Sequence, residues 1–342
     1  MRVLVTGGAG FIAHHVIEHL LRNTDWEIVC LDRLDTSGNL NRLAEVIALR
    51  PDRTRIKIVH HDLRASLSSL LRQQIGKINM VWHLAAATHV DRSIEDPLSF
   101  VYDNVVATCN LLEYARRLDM LDWFLFFSTD EVFGPAPGDS RYQEWDRYRS
   151  GNPYAATKAG AEELCVAYEN TYRMPISITH TMNVIGERQH FEKFVPATIT
   201  KVRDGEIVTI HANKELTQPG SRCYIHARNV ADALLFLVNH HVNGEKYNIV
   251  GDKELNNLEM AKLIAELMEH ELYYSLVSWH ESRPGHDLRY ALSGDKMKAL
   301  GWTSPVSFEH SLERTVRWFL KNQTWLGART ENLIERPGLV NK

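Results

Sequence analysis

The sequence predicts an α/β protein, a doubly wound parallel sheet with a smaller α/β domain packed over the carboxyl ends of its strands. Three observations lead there. Over the first half of the chain, short, nearly continuous apolar runs alternate with segments of helical periodicity, the pattern of parallel strands buried on both faces by crossover helices. A glycine-rich turn joins the first run to the first periodic segment. Beyond about residue 183 the alternation loosens, as expected where a second unit takes over.

The candidate strands are 2–6, 27–32, 55–60, 79–84, 123–128 and 176–181, and the helical segments between them are 11–22, 40–49, 66–74, 97–117 and 153–172. Right-handed crossovers make a doubly wound sheet the economical way to connect them. Further on, helices are expected at 194–203, 229–240, 258–270, 294–300 and 308–321, separated by short strands at 207–210 and 247–250. Residues 1–183 then form a dinucleotide-binding domain carrying the catalytic groups. Residues 184–325 form a substrate domain whose elements can interleave with the first, and 326–342 a tail. Ligands of such sheets bind at the carboxyl ends of the strands.

Composition narrows the function. The chain has 342 residues, 44% of them hydrophobic and 24% charged, with a formal net charge of −4, which argues against a general nucleic-acid binder or a membrane-surface binder. The longest apolar runs are too short to span a bilayer. Met1 leads almost directly into Val3-Leu4-Val5, which predicts no secretory leader and a cytoplasmic protein. Cys30, Cys109, Cys165 and Cys223 are scattered without a CxxC pair and read as reduced thiols. The 17 histidines include the doublets 14–15, 60–61 and 240–241 but show no metal-ligand spacing, so no metal is expected.

Val3 to Thr6, then Gly7-Gly8-Ala9-Gly10-Phe11-Ile12-Ala13, is a strand, a tight turn and a helix start. Gly7 suits the turn, Gly10 lets the backbone approach a pyrophosphate, and Ala13 is small enough for close helix–strand packing. The free amides of the first helical turn, from Phe11 and Ile12, point at that anion. A plain structural turn is the alternative. Against it, the next strand ends in Asp32, placed where a carboxylate accepts hydrogen bonds from an adenosine ribose. Asp32 would repel a 2′-phosphate, so NAD is favoured over NADP. Asp62 and Leu63, after the third strand, are candidates for contact with the adenine.

Asn152-Pro153 is a helix start, which puts Tyr154 and Lys158 one turn apart on one face. A lysine ammonium and a nicotinamide charge near the phenol would stabilise phenolate and lower its pKa, so that Tyr154 can take a proton from a substrate hydroxyl. Thr129-Asp130-Glu131 closes the fifth strand. It reads either as a helix cap with acidic first-turn residues or as a substrate-facing loop. Val132 to Gly138, with two prolines and two glycines, does not propagate a helix and favours the loop.

The glycine spacing together with Tyr-x-x-x-Lys resembles the extended short-chain dehydrogenase/reductase superfamily, whose nucleotide-binding half has the Rossmann fold. Ser128-Thr129-Asp130-Glu131-Val132-Phe133-Gly134 closely resembles the motif of the dTDP-glucose 4,6-dehydratase family, usually written with Tyr where Phe133 stands. Leu84-Ala85-Ala86 with His89 to Ile94, Asn152 to Lys158, and Arg283 to Ala291 follow the same family pattern. The resemblance implies a nucleotide-sugar 4,6-dehydratase, a lyase that holds NAD tightly. Tyr154 would deprotonate the C4 hydroxyl, with Thr129 and Lys158 positioning the group. Glu131 would remove the C5 proton, and a protonated Asp130 would release the C6 hydroxyl as water. Asp130 needs a raised pKa for this, which burial and the Glu131 charge would supply.

By the same resemblance Leu84, Ala85 and Ala86 line the cofactor. His89, Ser128, Asn183, Glu192, Lys193 and His286 contact the sugar or its diphosphate, and Arg222 and Arg283 the phosphates, for which guanidinium forks are suited. The helices at 97–117 and 153–172 resemble the pair that forms a homodimer interface in relatives. Segment 213–230, Ala13, His14 and Ala87 depart from the family pattern, and the nucleotide is left open among thymidine, uridine, guanosine and cytidine. A nucleotide-hexose 4-epimerase shares the fold, NAD and the Tyr/Lys pair but has no use for the Asp130–Glu131 pair. A non-catalytic NAD-sensing protein has no use for any of the catalytic set.

Overall fold

Seven parallel strands form the main sheet of the computed structural model, which describes residues 1–35, 37–48, 53–278, 289–323 and 325. In chain order the strands are β1 (Arg2–Thr6), β2 (Glu27–Asp32), β3 (Ile56–His60), β4 (Met80–His83), β5 (Trp123–Thr129), β6 (Ile176–Thr181), β7 (Asn183–Ile185), β8 (Val208–Ala212), β9 (Ser221–His226), β10 (Lys246–Ile249), β11 (Lys253–Asn256) and β12 (Tyr274–Ser278). The helices are α1 (Phe11–Asn23), α2 (Leu40–Ala48), α3 (Ser69–Ile75), α4 (Val90–Glu95), α5 (Pro97–Phe100), α6 (Ala107–Ala115), α7 (Pro153–Tyr172), α8 (Phe194–Arg203), α9 (Ala227–Leu237), α10 (Asn257–Met268), α11 (Asp295–Ala299) and α12 (Phe308–Lys321).

The main sheet has the order β10-β6-β5-β4-β1-β2-β3. Its strands are apolar on both sides: Val3 and Val5 join a core with Val16, Leu20 and Leu234 of α1 and α9. Leu4 and Phe126 join a second core with Leu111, Ala161 and Cys165 of α6 and α7. Each fully buried Val or Leu contributes about 1.5–3 kcal/mol. The order of connection reverses between β1 and β4, and the crevice at the carboxyl ends of those two strands is where such sheets hold their ligands.

A smaller unit carries the sheet β11-β9-β7 and the pair β12-β8, with a core of Ile199, Ile210, Met260, Leu312 and Phe319. β7 starts two residues after β6 ends, so this unit grows from the carboxyl edge of the main sheet. The strand expected at 247–250 pairs with β6 instead of staying in the smaller unit, and α9 packs in the same core as α1. The chain thus returns to the first layer after leaving it.

Two local differences from the sequence reading have clear causes. The segment 97–117 is not one uniform helix: residues Val101–Val106 between α5 and α6 form a widened π-helical turn. That turn presents Asp103 to both guanidinium nitrogens of Arg33, at 2.5 and 2.8 Å. It also presents Asn104 to Ala87, whose amide it accepts at 2.8 Å, and to Thr157, to which it donates at 2.9 Å. β7, β9, β11 and β12 escape the sequence reading because they lack apolar alternation; in Lys253–Asn256 only Leu255 is buried. Among the described residues no helix is long and apolar enough to cross a membrane.

Candidate active site

The glycine turn is built as a cradle. Gly7 has φ +68°, and a Cβ there would lie 2.8 Å from the Cα of Ala85; at Gly10 it would lie 2.8 Å from the carbonyl of Gly7. α1 begins after Gly10 without any side-chain cap, leaving the amides of Phe11 and Ile12 for a ligand. Asp32 binds the turn from the next strand, accepting from the amides of Ala9 at 3.0 Å and Leu34 at 2.7 Å. The loop of Leu84, Ala85 and Ala86 lies against it: the Ala85 amide donates to the Thr6 hydroxyl at 3.2 Å, and that hydroxyl meets His83 Nδ1 at 2.8 Å. Asp62 is taken by Arg64 at 2.8 Å, and Leu63 is buried with its carbonyl accepting from Asn110 at 2.8 Å.

At the end of β5, Thr129 caps a single 3₁₀ turn, Asp130–Phe133, by accepting from the Glu131 amide at 3.4 Å. The cap is present, but the turn it starts ends at Gly134. That glycine has φ +76°, and a Cβ would lie 2.3 Å from the carbonyl of Arg149. Asp130 is 5% exposed. Thr129 donates to its Oδ1 at 3.1 Å, while Oδ2 has no hydrogen-bond partner. Burial, then the charge of Glu131, push the Asp130 carboxyl up to about 7, with Arg222 pulling the other way. Those are the two causes the sequence suggests. Glu131 Oε2 accepts from Asn152 Nδ2 at 3.1 Å.

Asn152 caps α7 on the Ala155 amide at 2.9 Å, which sets Tyr154 in the first turn; the Tyr154 amide donates to Ser93 Oγ at 3.1 Å. The tyrosine is buried among Val90 and Phe100. Its phenol differs from expectation. Burial and then the Glu131 charge hold it well above the usual tyrosine range, opposed by a hydrogen bond with Thr129. Lys158 is not what moves it: the ammonium donates to the Phe127 carbonyl at 2.8 Å and lies 4.1 Å from the centre of the Phe126 ring. Burial lowers Lys158 itself to about 8.

The expected substrate groups separate into three sets. His89 caps α4, and its Nε2 lies 3.7 Å from Glu192, which also accepts from Arg92 at 2.7 Å. Lys193 Nζ reaches the Thr88 carbonyl at 3.4 Å, so these residues gather at one rim. Asn183 is exposed at the start of β7, paired in register with Tyr224. Arg222 lies on β9 with its guanidinium 4.6 Å from the centre of the Tyr290 ring, near enough for its charge to act on Asp130. The expected substrate contact at Ser128 is corrected: its hydroxyl donates to the buried Glu162, because side chains alternate along β5 and Ser128 faces the layer beneath α7. Arg283 and His286 lie outside the described residues. Sequence reasoning also misses Glu162, whose only signal is a carboxylate one turn beyond Lys158 on an Ala/Gly-rich stretch, and Ser93 and Asn104, which carry none.

A family model described as GDP-mannose 4,6 dehydratase matches residues 4–315. The dTDP-glucose 4,6-dehydratase of Neisseria meningitidis serogroup B is 37% identical over 95% of this chain and 94% of its own length. A dTDP-glucose 4,6-dehydratase from Streptomyces venezuelae, solved with NAD bound, superposes with a TM-score of 0.88 at 34% identity, covering 96% of this chain and 100% of that one. A UDP-glucose 4-epimerase from Thermus thermophilus in complex with NAD shares the fold at 29% identity and a TM-score of 0.84, covering 94% and 100%. With a family model spanning most of the chain and a relative more than a third identical over nearly its full length, the chain belongs to the GDP-mannose 4,6-dehydratase family, among the nucleotide-sugar dehydratases.

Proposed function

We propose that this chain dehydrates a nucleoside-diphosphate hexose, dTDP-glucose first, to the 4-keto-6-deoxy sugar nucleotide with NAD as cofactor. The observation that carries the proposal is Asp130: a buried carboxyl held near neutrality, with one unpartnered oxygen, next to Glu131 and hydrogen-bonded by Thr129. An acid beside a base at a strand's carboxyl end is what removal of water across a C–C bond needs. The names of the relatives, dTDP-glucose 4,6-dehydratases, support the same substrate.

The residues present fit NAD. A Cβ at Gly7 or Gly10 would fill the turn, and the uncapped start of α1 suits a pyrophosphate. Arg33, the nearest cation to Asp32 in sequence, is committed to Asp103 and Asp35, which leaves Asp32 to select against a 2′-phosphate. When bound, NAD supplies a reversible hydride acceptor for C4 and donor for C6. With the positive charge of a bound nicotinamide beside it to favour phenolate against the burial that raises it, Tyr154 would take the C4 hydroxyl proton, with Thr129 hydrogen-bonding the phenol. Lys158 anchors the catalytic helix to β5 through Phe127 and places a positive charge beneath the site. The C4 ketone acidifies the C5 proton, which Glu131 removes, held in place by Asn152. Asp130 protonates the C6 hydroxyl, which departs as water, and the proton on Glu131 is available to return to C5.

His89, Glu192, Lys193, Asn183 and Arg222 then hold the sugar and its diphosphate, with Leu84, Ala85, Ala86, Asp62 and Leu63 beside the cofactor. Residues 1–183 carry cofactor and chemistry, and 184–325 most of the substrate contacts. The enzyme acts as a homodimer through the faces that leave Leu98 and Tyr102 exposed at 61% and 47% and Tyr172 at 49%, and in the cytoplasm, where its four free cysteines stay reduced. Incubation with dTDP-glucose, UDP-glucose, CDP-glucose and GDP-mannose tests the reaction. Loss of water by mass spectrometry and a 4-keto chromophore in alkali are expected with dTDP-glucose; an epimerised product of unchanged mass would establish the 4-epimerase instead.

A further inference from the structure

Beneath the catalytic strand lies a buried polar network that the chemistry above leaves unused. Glu162 stands one turn beyond Lys158 on α7 and has no exposed surface. Its Oε1 accepts from Ser128 of β5, and its Oε2 accepts from the Tyr148 hydroxyl and meets His180 Nε2 of β6 at 3.1 Å. Lys246 of β10 lies 3.6 Å from the same carboxylate and donates to Tyr148. His180 Nδ1 meets Asn248 Oδ1 at 3.0 Å, and the Asn248 amide donates to Glu144 at 3.1 Å. One carboxylate thus joins α7, β5, β6 and β10 where the catalytic groups sit: Ser128 adjoins Thr129, and His180 is the register partner of Ser128.

Burying such a carboxylate is costly, and apolar packing of the same volume stabilises a fold at least as well. The network therefore calls for a role beyond stability. Lys158, 3% exposed, supplies one. The groups around it are the Phe127 carbonyl and Phe126 ring of β5, His83 of β4, and Cys165 and Glu162 of its own helix. His83 is kept neutral by burial, which lowers it to about 3, and burial raises the Cys165 thiol. Glu162, held ionised at about 2 by His180 and Lys246 against its own burial, is the largest influence favouring a charged Lys158.

We infer that Glu162 is a positioning residue of this enzyme: its buried carboxylate seats α7 on the catalytic strand and keeps Lys158 in its ammonium form while the enzyme works. What Lys158 does rests on the dehydratase reading; its charge state does not. The test uses the full-length holoprotein carrying ¹³C-labelled lysine, the Lys158 Cε signal assigned by its loss in K158M. In E162Q the Lys158 midpoint falls by about one pH unit, and kcat drops more steeply than wild type between about pH 7 and 8, with KM unchanged. E162D, whose carboxylate is carried on a side chain one methylene shorter, shows a smaller fall of the same sign. A folded, NAD-retaining E162Q with a wild-type midpoint overturns the inference. Should E162Q fail to fold, E162D decides: a lowered midpoint supports the coupling and an unmoved one overturns it. A displaced midpoint in a protein that releases no 4-keto product overturns the dehydratase reading and leaves the coupling supported.

Discussion

Replacing Asp130 by asparagine should make the folded protein relatively more stable as pH rises while removing its dehydratase activity. An aspartate in the unfolded chain ionises near 3.8, and in the fold burial and Glu131 raise Asp130 to about 7. When both states are ionised that difference corresponds to about 4 kcal/mol against the fold. Because the folded value is the higher one, the associated stability is fully present below the unfolded value and is lost as pH rises through about 7. From about pH 5.5 to about pH 8 wild type should lose about 2 kcal/mol that the variant does not. The asparagine amide facing the unpartnered position of Oδ2 adds a pH-independent penalty of about 1–3 kcal/mol. The quantity to follow is therefore the change with pH, not the offset. Urea unfolding of both holoproteins at the two pH values measures it, and turnover at neutral pH should fall about 10²–10⁴-fold. A stability difference that is flat with pH, or a variant that keeps a tenth of its turnover, would refute the assignment of Asp130 as a buried acid.

Three further outcomes follow from the same geometry. Glu131→Gln should lower turnover about 10²–10⁴-fold and stop solvent deuterium from appearing at C5 of the product, which proton NMR reads directly. Gly7→Ala, with φ +68° and a Cβ 2.8 Å from Ala85, should abolish NAD retention, measured as nucleotide released on denaturation; full NAD content would show that the cradle is not the cofactor site. Arg33→Ala should cost about 1 kcal/mol through loss of the Asp103 pair and leave the preference for NAD over NADP unchanged in fluorescence titrations. A selective fall in NADP binding would mean that this arginine reads the 2′-position after all.

The first half of the fold is legible because short β-rich runs alternate there with helical segments: β1, β2 and β6 fall on the expected residues, as does α7 with its Asn152 cap and Pro153 start. Strands such as β9 and β11 are not, since their partners and not their own residues make them strands. The helix around 97–117 shows the same limit from the other side. Its composition is helical throughout, and only the tertiary demands of Arg33, Ala87 and Thr157 on Asp103 and Asn104 widen the turn. At the site, identity and spacing reveal Thr129, Asp130, Glu131, Tyr154 and Lys158 as a set. Where their atoms point is not visible: Lys158 turns to Phe127, and Ser128 to Glu162. Side-chain direction depends on neighbours far along the chain or in another layer, which no local pattern encodes.

The late arrival of β10 has a consequence for how the protein is made. Until residues 246–249 leave the ribosome, β6 is an open edge strand, and Glu162 is a buried carboxylate deprived of Lys246. At about 5–20 residues per second the intervening stretch takes several seconds to synthesise, long enough for the nascent chain to need shielding from other edges. A truncated chain ending at Met182 would keep every catalytic residue of the Thr129–Lys158 set and yet lack both the seventh strand and the cation under its active-site helix. Evolution could exchange the loops of such an enzyme freely, but not divide its gene at the apparent border between cofactor and substrate halves.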